Sequence, residues 1–410
     1  MRQKVLGDFD IDRHRFLVVC VLLVNAFTWP IYLTSLIEKI IITNLIADEL
    51  SIWAAFYLST TVFGIIGAVL SKKFSGLKFL YFWIALGTIT SLVPVLINNF
   101  SLTQLVGISI LLGASFGLGM PSCLAFFTET TKVENRGRVG GIILLIANLT
   151  VPLLTSPFDG LNVMELSIIC AAWRGLGLSV YFLKQKTRDS PEVAKTSFVS
   201  ILRNRSFLLY FVAWLMFGLV NAMETSIIES ALSVELLDIM YLVEPVIAIV
   251  FILIAGFMCD WIGRKKIILS GFVALGAAYA IIGFIQIPGD LSWYLYFVVD
   301  GAAWGIFYLT FVLILWGDLS QPGSREKYYA LGSVPFFINN IIPYCVTLST
   351  EDVSWSAAFS VAAFFLFVAV LPLISAPETL PEKKMELRRL RSFAEEARKA
   401  REKYERKKEN

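Results

Sequence analysis

The chain has 410 residues, 57% of them hydrophobic and 16% charged, with a mean hydropathy of +0.72; soluble domains run about 45–50% apolar and about 25% charged, so a water-soluble fold is excluded. The formal net charge is +3, but 12 of the 35 Lys+Arg lie in the last thirty residues, so the basic balance is local and no nucleic-acid surface is expected. One histidine, His14, excludes a His-based metal centre, and five scattered cysteines with no CxxC pair read as small core residues.

The first sixteen residues mix acids and bases and lack the apolar core of a removed signal peptide. Charge-poor apolar stretches then follow at 16–37, 50–71, 79–97, 102–127, 139–158, 162–183, 207–231, 239–259, 267–287, 291–316, 328–350 and 354–376. These lengths suit helices that rise 1.5 Å per residue across about 30 Å of hydrocarbon, and they exceed the about 9–11 residues of a barrel strand. The fold class is therefore an all-α multi-pass membrane protein with twelve transmembrane helices. With both termini cytoplasmic, Lys72, Lys73, Lys132, Arg136, Arg138, Arg264, Lys265 and Lys266 fall inside and only Lys39 outside, as the positive-inside rule requires. The outer connections carry acids instead, among them Asp48, Glu49, Glu235 and Asp238.

The longest polar connection, about 184–206, divides the spans six and six. Two echoes support duplicated halves: Leu23-Val24-Asn25-Ala26 recurs as Leu219-Val220-Asn221-Ala222, and the pair Glu129 and Arg136 recurs as Asp318 and Arg325, an offset of 189. The expected domains are a six-helix bundle over 1–188, a cytoplasmic connecting loop over 189–204, a second six-helix bundle over 205–380 and a charged cytoplasmic tail over 381–410. In the tail, Leu387, Leu390, Phe393, Ala397, Ala400 and Tyr404 form a thin helical stripe suited to solvent or to an anionic membrane surface.

After the eighth stretch the chain reads Gly256-x3-Asp260-x2-Gly263-Arg264-Lys265-Lys266, which resembles the G-x-x-x-D-x-x-G-R-K-K signature loop of major facilitator transporters. The first-half counterpart keeps Gly67, Lys72, Lys73 and Lys78 but has Ser71 in place of the acid. Glu129-x6-Arg136-Gly137 resembles the E-x-x-P-x-x-x-R-G motif of the sugar-porter and organic-ion branch, with Lys132 where that motif has Pro, and Asp318-x6-Arg325 is its second copy. Asp189-Ser190-Pro191-Glu192 is a weak version of P-E-S-P-R, and Pro377-Glu378-Thr379-Leu380 matches the P-E-T-[KL] ending. The resemblance implies two parallel six-helix halves with a solute site near the midplane between them. It also implies a cytoplasmic gate made of Glu129, Arg136, Gly256, Asp260, Gly263, Arg264, Asp318, Arg325 and Glu378, closed when the pore faces outward.

Polar residues inside spans are costly unless they face a cavity or a partner, so they are the candidate solute contacts. Asn25, Thr28, Trp29 and Tyr32 share one helical face of the first span, which Pro30 can kink. Asn221, Glu224, Thr225 and Glu229 repeat this in the seventh; Asp300, Trp304 and Tyr308 stand at i, i+4, i+8 in the tenth; Asn339, Asn340 and Tyr344 occupy the eleventh. Glu224, Glu244 and Asp300 have no counterpart in first-half spans, and such acids suit a proton-coupled cycle or a cationic solute. Arg174 reads as structural, and the glycine pairs Gly113/Gly117 and Gly301/Gly305 as close helix contacts.

The fifth span lacks the G-x-x-x-G-P-x-x-G-G of drug/proton antiporters, the seventh lacks the glutamine pair of sugar porters, and the tenth lacks their G-P-x-P-W. The expectation is secondary active, proton-coupled or facilitative transport of a small organic solute, cationic in preference to neutral, by alternating access at the cell membrane. The alternatives are a sugar transporter, a multidrug efflux carrier and a transport-inactive sensor. An intramembrane transferase would need a D-D-x-x-D type of acidic cluster, which the sequence lacks; no enzyme, cofactor or metal is expected. The partners are the solute, protons and lipid, with a monomeric chain and no nucleic acid.

Overall fold

Within hydrocarbon no water can satisfy a backbone N–H or C=O, so long Leu, Ile, Val and Phe runs must close their hydrogen bonds within a helix. The computed structural model describes residues 12–74, 76–97, 100–155, 158–183, 196–285, 289–345 and 353–380. The expected P-E-S-P-R-like segment at 189–192 and the tail at 381–410 lie outside the described residues. The first half runs α1 (Arg13–Asn44), α2 (Glu49–Leu70), α3 (Gly76–Ser91), α4 (Leu102–Thr130), α5 (Arg136–Thr155) and α6 (Val163–Leu176). The second half runs α7 (Arg205–Ala231), α8 (Val234–Trp261), α9 (Arg264–Phe284), α10 (Asp290–Phe307), α11 (Arg325–Gly332) and α12 (Trp355–Ser375).

Among the described residues ten helices are long and apolar enough to cross a membrane. The other two expected spans are also helical but differ in kind. α5 is a 20-residue apolar helix that starts at the charged pair Arg136 and Arg138 and holds Pro152. The eleventh span is broken: α11 stops at Gly332, and Val334–Asn339 and Ile342–Cys345 follow as separate turns. Pro335 and Pro343 stand in the first turns of these two segments, where a missing N–H costs nothing, whereas Pro30, Pro121, Pro152, Pro245 and Pro372 lie inside continuous helices, so proline marks these breaks without alone causing them. α10 continues past Phe307 through a π-helical stretch, Tyr308–Ile314, before Leu315–Leu319. Such widened turns expose backbone and re-aim side chains, often at functional sites.

Helix starts are capped by short polar side chains. Ser101 with Gln104 and Asn162 with Glu165 form capping boxes on α4 and α6. Asp48 accepts from the Ser51 N–H and hydroxyl, and these bonds hold its carboxyl below the usual range. Within the halves α2 lies along α4, α8 along α10 and α9 along α12. Gly113 and Gly117 make the α2–α4 approach possible, since a Cβ there would meet the carbonyls of Phe56 and Thr60 at 2.2 and 2.1 Å. Between the halves α8 packs on α5, and α11 packs on α4 and α2.

Candidate functional site

At the end of the molecule where α4 and α10 terminate, the acid of each half pairs with the arginine of the other. Arg136 bonds Asp318, and Arg325 bonds Glu129 at 3.0 Å. Arg264 adds its Nε to Asp318 at 3.0 Å and reaches across the seam to the carbonyl of Val133. Asp260 does more than balance charge. Its carboxylate accepts the backbone N–H of Gly137 at 2.9 Å and of Arg138 at 2.8 Å, so the last turn of α8 caps the first turn of α5 across the seam. Gly137 and Gly256 permit this, because a Cβ on Gly137 would lie 2.5 Å from the Gly256 carbonyl and 2.7 Å from the Asp260 Oδ1.

Glu378 plays the same part for α9, accepting from the N–H of Arg264 at 2.9 Å and of Lys265 at 3.2 Å. Gly263, at φ 115°, turns the chain in a region that L side chains avoid, and a Cβ there would meet Glu378 at 2.3 Å. All the residues expected at the gate are thus brought together. The first-half copy is different, as Ser71 foretells: its Oγ reaches only Ala68 of its own helix, and the crossing bond is instead Lys72 to the Gly323 carbonyl at 2.6 Å. Sequence reasoning missed Arg138, Thr379, which donates to Asp318, and Tyr329, whose hydroxyl lies 2.6 Å from that of Thr128.

Away from the seam a cavity of about 510 Å³ is lined mainly by α7, α8, α10 and the broken eleventh span, with Asn148 of α5 on the facing wall. Of the expected contacts, Asn221, Glu244, Trp304, Tyr308, Asn339 and Asn340 line it. Among the described lining residues Glu244 is the one carboxylate, and no Lys or Arg stands with it. Trp304 donates to the Asn221 Oδ1 at 3.1 Å, fixing both side chains. Trp214, Phe217, Tyr241 and Phe336 complete the wall and went unnoticed in the sequence, where they read as ordinary apolar span residues.

Other expected contacts lie elsewhere. Glu224 is buried and receives a hydrogen bond from Tyr296, whose hydroxyl lies 3.4 Å from that of Tyr279. Asp300 is 3% exposed, its Oδ1 has no hydrogen-bond partner, and it lies within electrostatic reach of both Glu244 and Glu224. Neither Glu224 nor Asp300 is among the cavity-lining residues. No Lys, Arg or His among the described residues pairs with any of the three acids.

Asn25, Trp29 and Tyr32 are turned away from the cavity into the first half. Asn25 accepts from Arg174 at 2.6 Å, Trp29 donates to Ser91 at 3.1 Å, and Tyr32 packs on Phe158 and Trp173. Arg174 is fully enclosed between Trp29 and Trp83, its guanidinium carbon 4.2 and 4.0 Å from their ring centres. The other side of α1, with Phe27, Pro30, Ile31 and Thr34, faces a second cavity of about 210 Å³ between the halves. Spacing set the residues of that face together, but an α1 apolar all round gave no sign of which way it turns.

The family model of the Major Facilitator Superfamily matches residues 206–404. No curated protein matches the chain by sequence. Among solved structures, the human organic anion transporter MFSD10 (TETRAN) is 13% identical, with 88% of this chain and 99% of that one covered at a TM-score of 0.66. The E. coli fucose:proton symporter FucP is 15% identical, with 87% and 97% covered at 0.69. The proton:xylose symporter XylE, bound to 6-bromo-6-deoxy-D-glucose, is 14% identical, with 89% and 96% covered at 0.64. At such identities the likeness is one of fold, and it runs through both halves. The chain thus carries the sequence pattern of the Major Facilitator Superfamily over residues 206–404, and it has the fold of the solved transporters of that superfamily along most of its length.

Proposed function

We propose that this chain carries a small organic solute across the cell membrane by alternating access, with the charged seam and both termini on the cytoplasmic side. The swapped pairs Arg136–Asp318 and Arg325–Glu129 support this reading, because a lock that ties the halves at one end must open when the cavity turns to that side. The cavity is the solute site, and the observation that carries the solute class is Glu244, the one carboxylate among its described lining residues. A cationic solute fits Glu244 and the faces of Trp304 and Tyr308, which attract cations through their ring quadrupoles. MFSD10 is an organic anion transporter, but a cavity without Lys or Arg among its described lining residues disfavours an anion.

Glu224 and Asp300, buried beside the cavity without basic partners, are the proposed carriers of a coupling proton. A neutral sugar is the second reading, favoured by the amides Asn221, Asn339 and Asn340 in the lining and by the fold likeness to two sugar symporters. Multidrug efflux and a transport-inactive sensor remain the further alternatives. Uptake into proteoliposomes decides among them. Glu244→Gln is expected to reduce organic-cation uptake about tenfold or more, since leaving one partner of a desolvated pair costs about 2–5 kcal/mol. Undiminished cation uptake by Glu244→Gln would sink the cationic reading, and absence of any solute flux would favour the sensor.

A further inference from the structure

Two polar atoms of cavity-lining side chains have no hydrogen-bond partner, the indole Nε1 of Trp214 and the amide Oδ1 of Asn339. Trp214 is 2% exposed and Asn339 8%, so bulk water does not serve either. Unmade bonds at such depth are rare in folded proteins and call for an explanation. The two side chains line the same cavity from neighbouring elements. Gly218 follows Trp214 by one helical turn, and a Cβ on Gly218 would lie 1.5 Å from the Asn339 Nδ2, so the amide is laid directly over that turn. Nearby amides are engaged elsewhere: Asn221 accepts from Trp304, Asn340 donates to the Phe336 carbonyl, and Asn148 donates to the Leu144 carbonyl.

Trp214 is a donor without an acceptor, and Asn339 offers an acceptor without a donor. A hydroxyl answers both, its oxygen accepting from the indole and its proton going to the amide oxygen. An ammonium group only donates and would leave Trp214 unmet. A carboxylate only accepts, would leave Asn339 unmet and would be repelled by Glu244 in the same cavity.

We propose that Trp214 and Asn339 form a hydroxyl-binding subsite and that the solute is a hydroxylated amine, its ammonium paired with Glu244. This rests on the cavity being the solute site and adds the recognition of a second polar end. Glucose, glucosamine and cyclohexylamine separate the two ends on one ring size: hydroxyls alone, hydroxyls with an ammonium, and an ammonium alone. Their binding to the full-length detergent-purified chain is measured by calorimetry.

Glucosamine is expected to bind at least about tenfold tighter than either of the others. Trp214→Phe and Asn339→Leu are each expected to weaken glucosamine and glucose about tenfold and leave cyclohexylamine within about twofold, because a site built for a hydroxyl suffers when its partner is lost. Gly218→Ala, which displaces Asn339 without removing a polar group, is expected to do the same. Equal losses for cyclohexylamine would mean the variants merely disturb packing and would overturn the subsite; so would unchanged affinity for the hydroxylated probes, or their failure to bind. Glu244→Gln reads the cationic end separately: weaker glucosamine and cyclohexylamine with unchanged glucose supports it, whereas no effect rejects the cationic reading while the hydroxyl arm still stands or falls alone.

Discussion

At Arg174 the guanidinium has one amide partner and two tryptophan faces, with its Nε and Nη2 left without hydrogen bonds. A desolvated cation–π contact contributes about 2 kcal/mol or more, and a planar guanidinium can stack where a compact ammonium cannot. Arg174→Lys is therefore expected to lower the Tm in detergent by several degrees, equivalent to roughly 2 kcal/mol, because the shorter ammonium loses both stacks and gains no carboxylate partner. An unchanged Tm would show that the two stacks contribute nothing. Glu224 is a different kind of buried charge, since Tyr296 donates to it and its neutral form would keep a partner. Under the proton-coupled reading, Glu224→Gln or Asp300→Asn should retain solute counterflow and lose accumulation driven by a pH gradient. Accumulation that persists in both variants would remove these acids from the coupling path. The cavity was legible in the sequence where it is polar: Asn221, Glu244, Trp304, Tyr308, Asn339 and Asn340 stood out as costly residues in apolar spans. Trp214 and Phe217 did not, because an aromatic residue in a membrane span needs no cavity to explain it. Asn25, Trp29 and Tyr32 were equally conspicuous, yet their costs are met inside the first half by Arg174, Ser91 and the Trp173 carbonyl.

Among the elements, the α5–α8 contact shows how a motif becomes a joint. The signature loop placed Asp260 at a helix end, but nothing in its spacing said that the carboxylate would receive the N-terminal N–H groups of α5 from the other half. Glycine spacing is what makes the cap reachable. In Gly137→Ala the new Cβ would lie 2.5 Å from the Gly256 carbonyl, so α5 and α8 must part at that point. The variant should fold, because the contact lies between halves, and should expose the seam to thiol or protease probes that the native chain resists. Equal protection in both would show that this joint does not hold the halves together. The apolar stretch at 328–350 suits a single helix by hydropathy, and the structure divides it into three short ones. Pro335 and Pro343 mark the divisions, but hydropathy sums treat proline as a small penalty and do not register a helix start. The break matters for the site, since it sets Asn339 at the end of one short helix and Asn340 just past it.

For the molecule as a whole, the two halves are alike in plan and unequal in chemistry. Both contribute one acid and one arginine to the seam, at the same sequence offset. Only the second half keeps the acid of the signature loop, and only the second half places carboxylates beside the cavity. The first half is the more neutral scaffold, stiffened by Arg174 and its tryptophans. Motif and offset point to duplicated halves in the sequence alone, whereas the inequality of the cavity walls shows only in the packing of α7 against the eleventh span. At the end opposite the seam, the halves meet through the stacked rings of Trp53 and Tyr344, 5.9 Å apart. A stacked pair contributes about 0.5–1.5 kcal/mol beyond its buried area. Removing one partner of a buried ion pair costs about 3–5 kcal/mol because the other charge is left unpaired, so substitutions at Asp318 are expected to loosen the seam far more than a substitution at Trp53 loosens the other end.

Spin-label distances across both ends test this account most directly. One label pair would stand at the exposed positions Lys73 and Gln321 beside the seam, and another at Glu49 and Val234 on the opposite end, with exposed Cys345 replaced by serine. Asp318→Asn removes the carboxylate that holds both Arg136 and Arg264. This substitution is expected to lengthen the Lys73–Gln321 distance distribution and to shorten that of Glu49–Val234, as two halves rock about the cavity. Distances that stay unchanged at both ends, or that lengthen together, would contradict that motion.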